Sequence, residues 1–195
     1  MTEPAPILRV PLGGDVVAEL PLQWISDDLG IYSFVLLDKV AWVKASATSL
    51  MERISDVLGD GVDVIVTPEA KAITLAYELT NRLGLGDFVV ARKSRKAYMT
   101  DPVSIDVQSI TTQFTQQMWF GREDLDALRG RRVLVVDDVV STGATLDALF
   151  GFLRSIDCEV VAVACVLTEG ETRTHYDGVP LISIGHLPLV PRRPS

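Results

Sequence analysis

Residues 132–149, RVLVVDDVVSTGATLDAL, limit the folds open to this chain more than any other stretch. Val133 to Val136 is a continuous apolar run between charged flanks, the pattern of a strand covered on both faces of a parallel sheet. Asp137 and Asp138 mark the expected carboxyl end of that strand. Ser141, Thr142, Gly143, Ala144 and Thr145 then form a small-residue turn, and Leu146, Leu149, Phe150, Leu153 and Ile156 follow at helical spacing. Small side chains leave backbone N–H groups open, and at the start of a helix such groups make a seat for phosphate. The acidic pair beside that seat is the unusual part, because carboxylates repel phosphate unless they hold something else, such as sugar hydroxyls or a metal ion. A ribose carrying a 5′-phosphate satisfies both halves. The plainer alternative is a core strand followed by a helix that Ser141 or Thr142 caps.

Other phosphate motifs do not fit this stretch. No Lys follows Gly143 as a Walker A loop requires, and no G-x-G-x-x-G follows the strand. VLVVDD resembles the opening strand of a receiver domain, but the 58 residues after Asp137 are too few to complete one.

A chain of 195 residues with 48% hydrophobic content has enough apolar side chain for one domain with a sizeable core. Its net charge of −8 argues against a nucleic-acid partner, whose phosphates need a basic face. Positive charge is concentrated in Arg92, Lys93, Arg95 and Lys96, which suits a small anionic ligand or, alternatively, a solvated loop. Cys158 and Cys165 sit in an apolar stretch and read as buried small hydrophobes, not as a disulfide or metal pair. There is no metal-ligand spacing, no signal-like leader and no apolar run of membrane-spanning length. The expectation is a cytoplasmic protein.

The order of elements predicts an α/β fold, a doubly wound and mostly parallel sheet with a small N-terminal cap or hood. Residues 1–42 read as the strand-rich cap, because Pro11, Gly13, Gly14, Pro21 and Gly30 break the apolar segments between Ile7 and Leu37. Residues 43–190 read as the core and 191–195 as a flexible tail. Within the core, helices are expected over Val43 to Leu58 and Glu69 to Leu83, and a helical turn over Asp124 to Leu128. Strands are expected over Val62 to Val66, Phe88 to Ala91, Val133 to Val136 and Glu159 to Leu167. Residues 93–105 are polar and Val107 to Trp119 is ribbon-like, so the segment around Met99 to Gln117 reads as a mobile lid. Tyr98 is either part of that lid or an ordinary half-buried aromatic. His175 and His186 read as surface or core residues.

VIVTPEAKAI, residues 64–73, repeats the strand–turn–helix arrangement. By itself it is explained by Thr67 capping, Pro68 starting the helix and Glu69 complementing its dipole.

Together, these three signals resemble the type I phosphoribosyltransferases, in particular the adenine and xanthine branch, over about Val43 to Leu167. The resemblance implies that Asp137 and Asp138 hold the ribose diol of phosphoribosyl pyrophosphate (PRPP), with Ser141, Thr142, Gly143, Ala144 and Thr145 on its 5′-phosphate. It implies a diphosphate site at Glu69, Ala70 and Lys71, joined by Arg92, Lys93 and Lys96. It further implies Mg²⁺ held through PRPP, and transfer of the phosphoribosyl group to a purine with release of pyrophosphate. Asp137, Asp138 and Lys71 are then the catalytic candidates, and a homodimer is expected. The base-binding residues are not legible. Two alternatives stay open. One is an orotate-type enzyme, from the Arg-Lys-x-x-Lys spacing, although Tyr98-Met99 departs from the usual His-Gly. The other is a PRPP-sensing regulatory protein without turnover.

Overall fold

The computed structural model describes residues 5–59, 61–107 and 116–192. Its centre is a six-stranded sheet in the order β10-β11-β9-β8-β4-β5, built from β4 (Val64–Pro68), β5 (Phe88–Ala91), β8 (Arg132–Val140), β9 (Glu159–Glu169), β10 (His175–Tyr176) and β11 (Val179–Leu187). All neighbouring pairs are parallel except β10 with β11. Five parallel strands that start at β4 therefore run outward in both directions, one way to β5 and the other through β8, β9 and β11. The chain reverses its direction of winding between β4 and β8, and doubly wound sheets open their ligand crevice at such a switch point.

Alternation along the strands divides the apolar side chains between two cores. Leu134, Val136, Ala162 and Ala164 face α1 (Val40–Val57) and α2 (Ile73–Arg82). Val133, Val135, Val163 and Cys165 face α3 (Arg122–Leu128) and α4 (Ala144–Ser155). Val43, Ala47, Leu50 and Ile54 make the buried stripe of α1 at three- and four-residue spacing. Ordered structure begins there a turn earlier than the sequence pattern predicts, because exposed Val40 carries no periodic signal.

The N-terminal segment forms an antiparallel sheet in the order β1-β2-β3-β12, from β1 (Ile7–Gly13), β2 (Val16–Trp24), β3 (Leu29–Tyr32) and β12 (Val190–Pro191). Its buried residues Val10, Leu12, Ala18 and Leu20 join the α1 and α2 core instead of closing one of their own. The expected flexible tail is corrected at its start: Pro191 pairs with Leu29, Arg192 N–H donates to Asp28 O at 2.8 Å, and the Arg192 guanidinium lies 5.0 Å from the Trp24 ring centre. Pairing with a hairpin edge and a cation–π contact supply an order that a Pro/Arg-rich composition conceals. Residues 193–195 lie outside the described residues.

The expected lid is a two-stranded hairpin, β6 (Val103–Val107) with β7 (Gln116–Phe120), and residues 108–115 between them lie outside the described residues. Its base is anchored. Val107, Met118 and Phe120 are buried, and Phe120 stacks on Phe152 of α4 with ring centres 4.4 Å apart. Trp119 exchanges both backbone hydrogen bonds with Arg92 just beyond β5. Tyr98 is 72% exposed.

Candidate active site at the sheet switch point

Between β4 and β8 the ladder stops at Val66 opposite Val135, while on its other side β8 stays paired with β9 as far as Val140. Asp137 and Asp138 therefore lie inside β8 and not at its end, a correction to the sequence reading. Apolar Val139 and Val140 continue the β9 ladder beyond the charged pair. On the β4 side the backbone at these aspartates has no ladder partner, so the crevice opens there.

Asp138 is buried, and its Oδ2 accepts no hydrogen bond although Lys71 Nζ stands 3.5 Å away. Lys71 Nζ also donates to Phe34 O at 3.4 Å, which ties the segment after β3 to the site. Asp137 Oδ1 accepts the Asp138 N–H at 2.8 Å. Protein encloses its carboxyl, although the residue keeps some solvent exposure. Burial first, and then the adjacent Asp138 charge, push the Asp137 pKa up to about 8. Two neighbouring carboxyl groups, one of whose oxygens accepts no hydrogen bond, offer acceptors for hydroxyl donors or a cation. The thiol of Cys165, paired opposite Asp137, is pushed up by burial and then by that carboxylate, so it stays an inert hydrophobe.

The turn after β4 differs from the expected helix. Residues 69–72 are a turn, and α2 starts only at Ile73, without a side-chain cap. Pro68 is the last strand residue, opposite Ala91, and Glu69 N–H donates to Ala91 O at 2.8 Å. Neither Thr67 nor Pro68 begins the helix, because their pairing with β5 holds them in the sheet. The Glu69 carboxylate instead accepts the Lys93 N–H at 2.7 Å and lies 3.4 Å from both Arg92 Nη1 and Lys96 Nζ. Burial pushes the Glu69 pKa up, but the Lys93 N–H and the Lys96 and Arg92 charges outweigh it and hold the group below its usual value. Glu69 thus organises the basic cluster, while Arg95 stays exposed.

In the turn after β8, Thr142 is exposed and Ser141, Ala144 and Thr145 are half-buried, so the turn is open to solvent. Gly143 caps α4 in the left-handed region, at φ 92°. A Cβ there would stand 2.2 Å from the Tyr176 hydroxyl oxygen, so glycine is required twice over.

The structure brings most of the predicted residues together. Glu69, Ala70, Lys93, Asp137, Asp138 and Thr145 line one cleft of about 180 Å³, shared with Gln116, Gln117 and Met118 of the hairpin. Ser141, Thr142, Gly143 and Ala144 line a second cleft of about 130 Å³, which also contains Asp137 and Thr145. Lys71 stands behind Asp138, and Arg92 and Lys96 are gathered on Glu69; these three do not line either cleft. Tyr176 and the Phe34 carbonyl were not legible as site groups, since only the tertiary fold carries them there, and Gln116 and Gln117, expected only as part of the lid, line the cleft itself. Among the described residues no three His, Cys, Asp or Glu side chains converge as a protein-built metal site.

Comparison with known proteins agrees with this architecture. An adenine phosphoribosyltransferase structure from Thermoanaerobacter pseudethanolicus superposes with a TM-score of 0.61 at 22% identity, over 92% of this chain and 95% of that one. Orotate phosphoribosyltransferase 2 of Mesorhizobium japonicum is 28% identical over 70% of this chain and 58% of its own length. Adenine phosphoribosyltransferase of Thermotoga neapolitana is 33% identical over 58% of this chain and 64% of its own. The chain thus spans about six tenths of the length of these curated relatives. Residues 36–183 match the model of the phosphoribosyl transferase domain, and the chain belongs to that family.

Proposed function

We propose that this protein transfers the 5-phosphoribosyl group of PRPP to a ring nitrogen of a purine base. The observation that carries the reading is the meeting of the Asp137–Asp138 pair, the open turn before α4 and the Glu69–Lys71 turn at the single switch point of the sheet. Asp137 and Asp138 accept hydrogen bonds from the 2′ and 3′ hydroxyls. Backbone N–H groups of Ser141 to Thr145 hold the 5′-phosphate at the amino end of α4. Ala70 and Lys93 of the cleft receive the diphosphate, and Lys71, Arg92 and Lys96, held on Asp138 and Glu69 beside the cleft, exchange those partners for its charge.

In the reaction the bond from C1′ to the diphosphate oxygen breaks, a bond from C1′ to the base nitrogen forms, and the proton on that nitrogen is lost. No covalent nucleophile is required. Positive charge develops on the ribose and negative charge on the leaving diphosphate, so rate enhancement comes from holding the reactants in line and from the cations at the leaving group. The hairpin of β6 and β7 excludes water, which otherwise competes for C1′. Mg²⁺ binds through one or two carboxylates together with substrate phosphates, and the adjacent aspartates, with an Asp138 Oδ2 that accepts no hydrogen bond and only the Lys71 ammonium beside it, would fit that mode. When bound, the ion would neutralise charge on the diphosphate.

The adenine name of one relative and of the fold neighbour supports a purine acceptor; the orotate name of another makes orotate the first alternative to test. The reading includes a homodimer and a cytoplasmic location. No described helix is long and apolar enough to cross a membrane. Incubation with PRPP, Mg²⁺ and each nucleobase in turn, with pyrophosphate release followed, tests the reading. Release that requires a purine supports it, release that requires orotate replaces it, and tight PRPP binding without turnover identifies a sensor.

A further inference from the structure

Tyr176 lies far from the switch point in sequence and belongs to a short strand at the opposite edge of the sheet from β5, yet its hydroxyl reaches the start of α4. It faces Gly143 O at 2.8 Å and Asp147 Oδ1 at 2.5 Å, so its single proton serves two acceptors. Its ring packs edge-on against Phe150, with centres 5.7 Å apart, and Arg173 lies over it at 5.9 Å. Gly143 O already accepts the Asp147 N–H at 2.9 Å. The left-handed glycine, the first helical turn and the Asp147 carboxylate are therefore joined at one hydroxyl.

We infer that Tyr176 is a positioning residue for the phosphate seat, acting on two groups at once. It fixes the Gly143 peptide, and with it the direction of the neighbouring N–H groups in the turn. It also restrains Asp147, an anion in the first turn of α4 that the helix dipole favours and that competes electrostatically with a phosphate at the same helix end. This inference rests on the ribose 5-phosphate reading of that turn and deepens it: the seat is tuned by the β10–β11 edge of the sheet, outside the motif itself.

The test combines Tyr176→Phe, Asp147→Asn and the double variant, each examined for PRPP binding by calorimetry, for pyrophosphate binding, for steady-state kinetics and for Tm. Tyr176→Phe is expected to raise Kd and KM for PRPP about tenfold, the scale of one hydrogen bond to a charged group, with kcat and pyrophosphate affinity unchanged. Adding Asp147→Asn is expected to restore much of the lost affinity, because the competing charge is gone. Wild-type PRPP affinity in Tyr176→Phe overturns the inference while leaving the site reading intact. Equal losses for PRPP and pyrophosphate, with a lowered Tm, also overturn it by assigning Tyr176 to general packing. Failure of the wild-type protein itself to bind PRPP overturns the site reading, and this inference with it.

Discussion

The turn after β4 and the turn after β8 stand side by side at the carboxyl end of one sheet, but the first is built from charged side chains and the second from small ones. Around the first, Lys71 is set against Asp138 and Glu69 collects Arg92, Lys96 and the Lys93 N–H. Around the second, Ser141 to Thr145 offer backbone, held by the Tyr176 hydroxyl. The charged turn balances its own electrostatics before any ligand arrives, so a ligand there has to exchange partners. The small-residue turn depends on conformation, and its weak point is steric. Mutations should therefore act on the two turns in different ways.

The largest effect is expected between the two turns. Asp137→Asn with Asp138→Asn should weaken PRPP binding by on the order of 100-fold or more, since acceptors of charge-assisted hydrogen bonds are removed, while circular dichroism reports an unchanged fold. Unchanged PRPP affinity in calorimetry would refute the diol assignment. Next, Lys71→Ala should lower kcat/KM by about tenfold to a hundredfold, an electrostatic loss discounted because the side chain is 47% exposed. A kinetic assay over a range of salt concentrations checks this, and loss of salt sensitivity in the variant is the expected signature.

Gly143→Ala attacks the neutral turn. A left-handed backbone and a clash with the Tyr176 hydroxyl predict a stability loss of about 3 kcal/mol in denaturant unfolding. An unfolding midpoint equal to wild type would show that the turn relaxes freely.

The acidic pair also predicts a pH dependence of stability. Asp137 binds its proton more tightly folded than unfolded, its pKa being raised from 3.8 to about 8. Asp137 therefore holds its proton in the folded state across that window, and its contribution to the stability of the unliganded protein falls as pH rises from about 4 to about 8. Each kcal/mol lost lowers Tm by roughly 2–4 °C at this chain length. Asp137→Asn should flatten the profile, and a Tm that rises between pH 5 and 8 in both proteins would contradict the assignment.

The smallest effect is expected for Glu69→Gln. Its partly exposed ion pairs contribute within about 1 kcal/mol to stability, so the change should appear mainly as a shift in pyrophosphate affinity of about threefold or less. A large loss of stability there would erase the contrast between the turns.

Most of the sheet was legible because its strands are long apolar runs whose burial does not depend on their neighbours' identity. Residues 133–136 and 88–91 read as strands in the sequence and are strands in the fold. The helix expected from Glu69 was not legible at its start. Helical spacing of Ala72, Ala76 and Leu79 reveals an apolar face, but not that pairing with β5 keeps Pro68 in the strand or that Glu69 serves two cations and the Lys93 backbone N–H. The hairpin of β6 and β7 read as a mobile lid because its polar face dominates the sequence, while the packing of Val107, Met118 and Phe120 on α4 anchors its base.

Local sequence determined the chemistry of this protein: an acidic pair before a small-residue turn, a second turn carrying Glu69 and Lys71, and a basic cluster after β5. Spacing and residue type suffice there because strand periodicity, glycine geometry and charge act over a few neighbouring residues. The tertiary structure decided which of these groups meet. It set the β4–β8 switch point, set Asp138 Oδ2 beside the Lys71 ammonium without a hydrogen bond, and carried Tyr176 across the sheet to Gly143. Those outcomes depend on strand order and on chain segments 33 to 69 residues apart, and no local pattern encodes a distance between them.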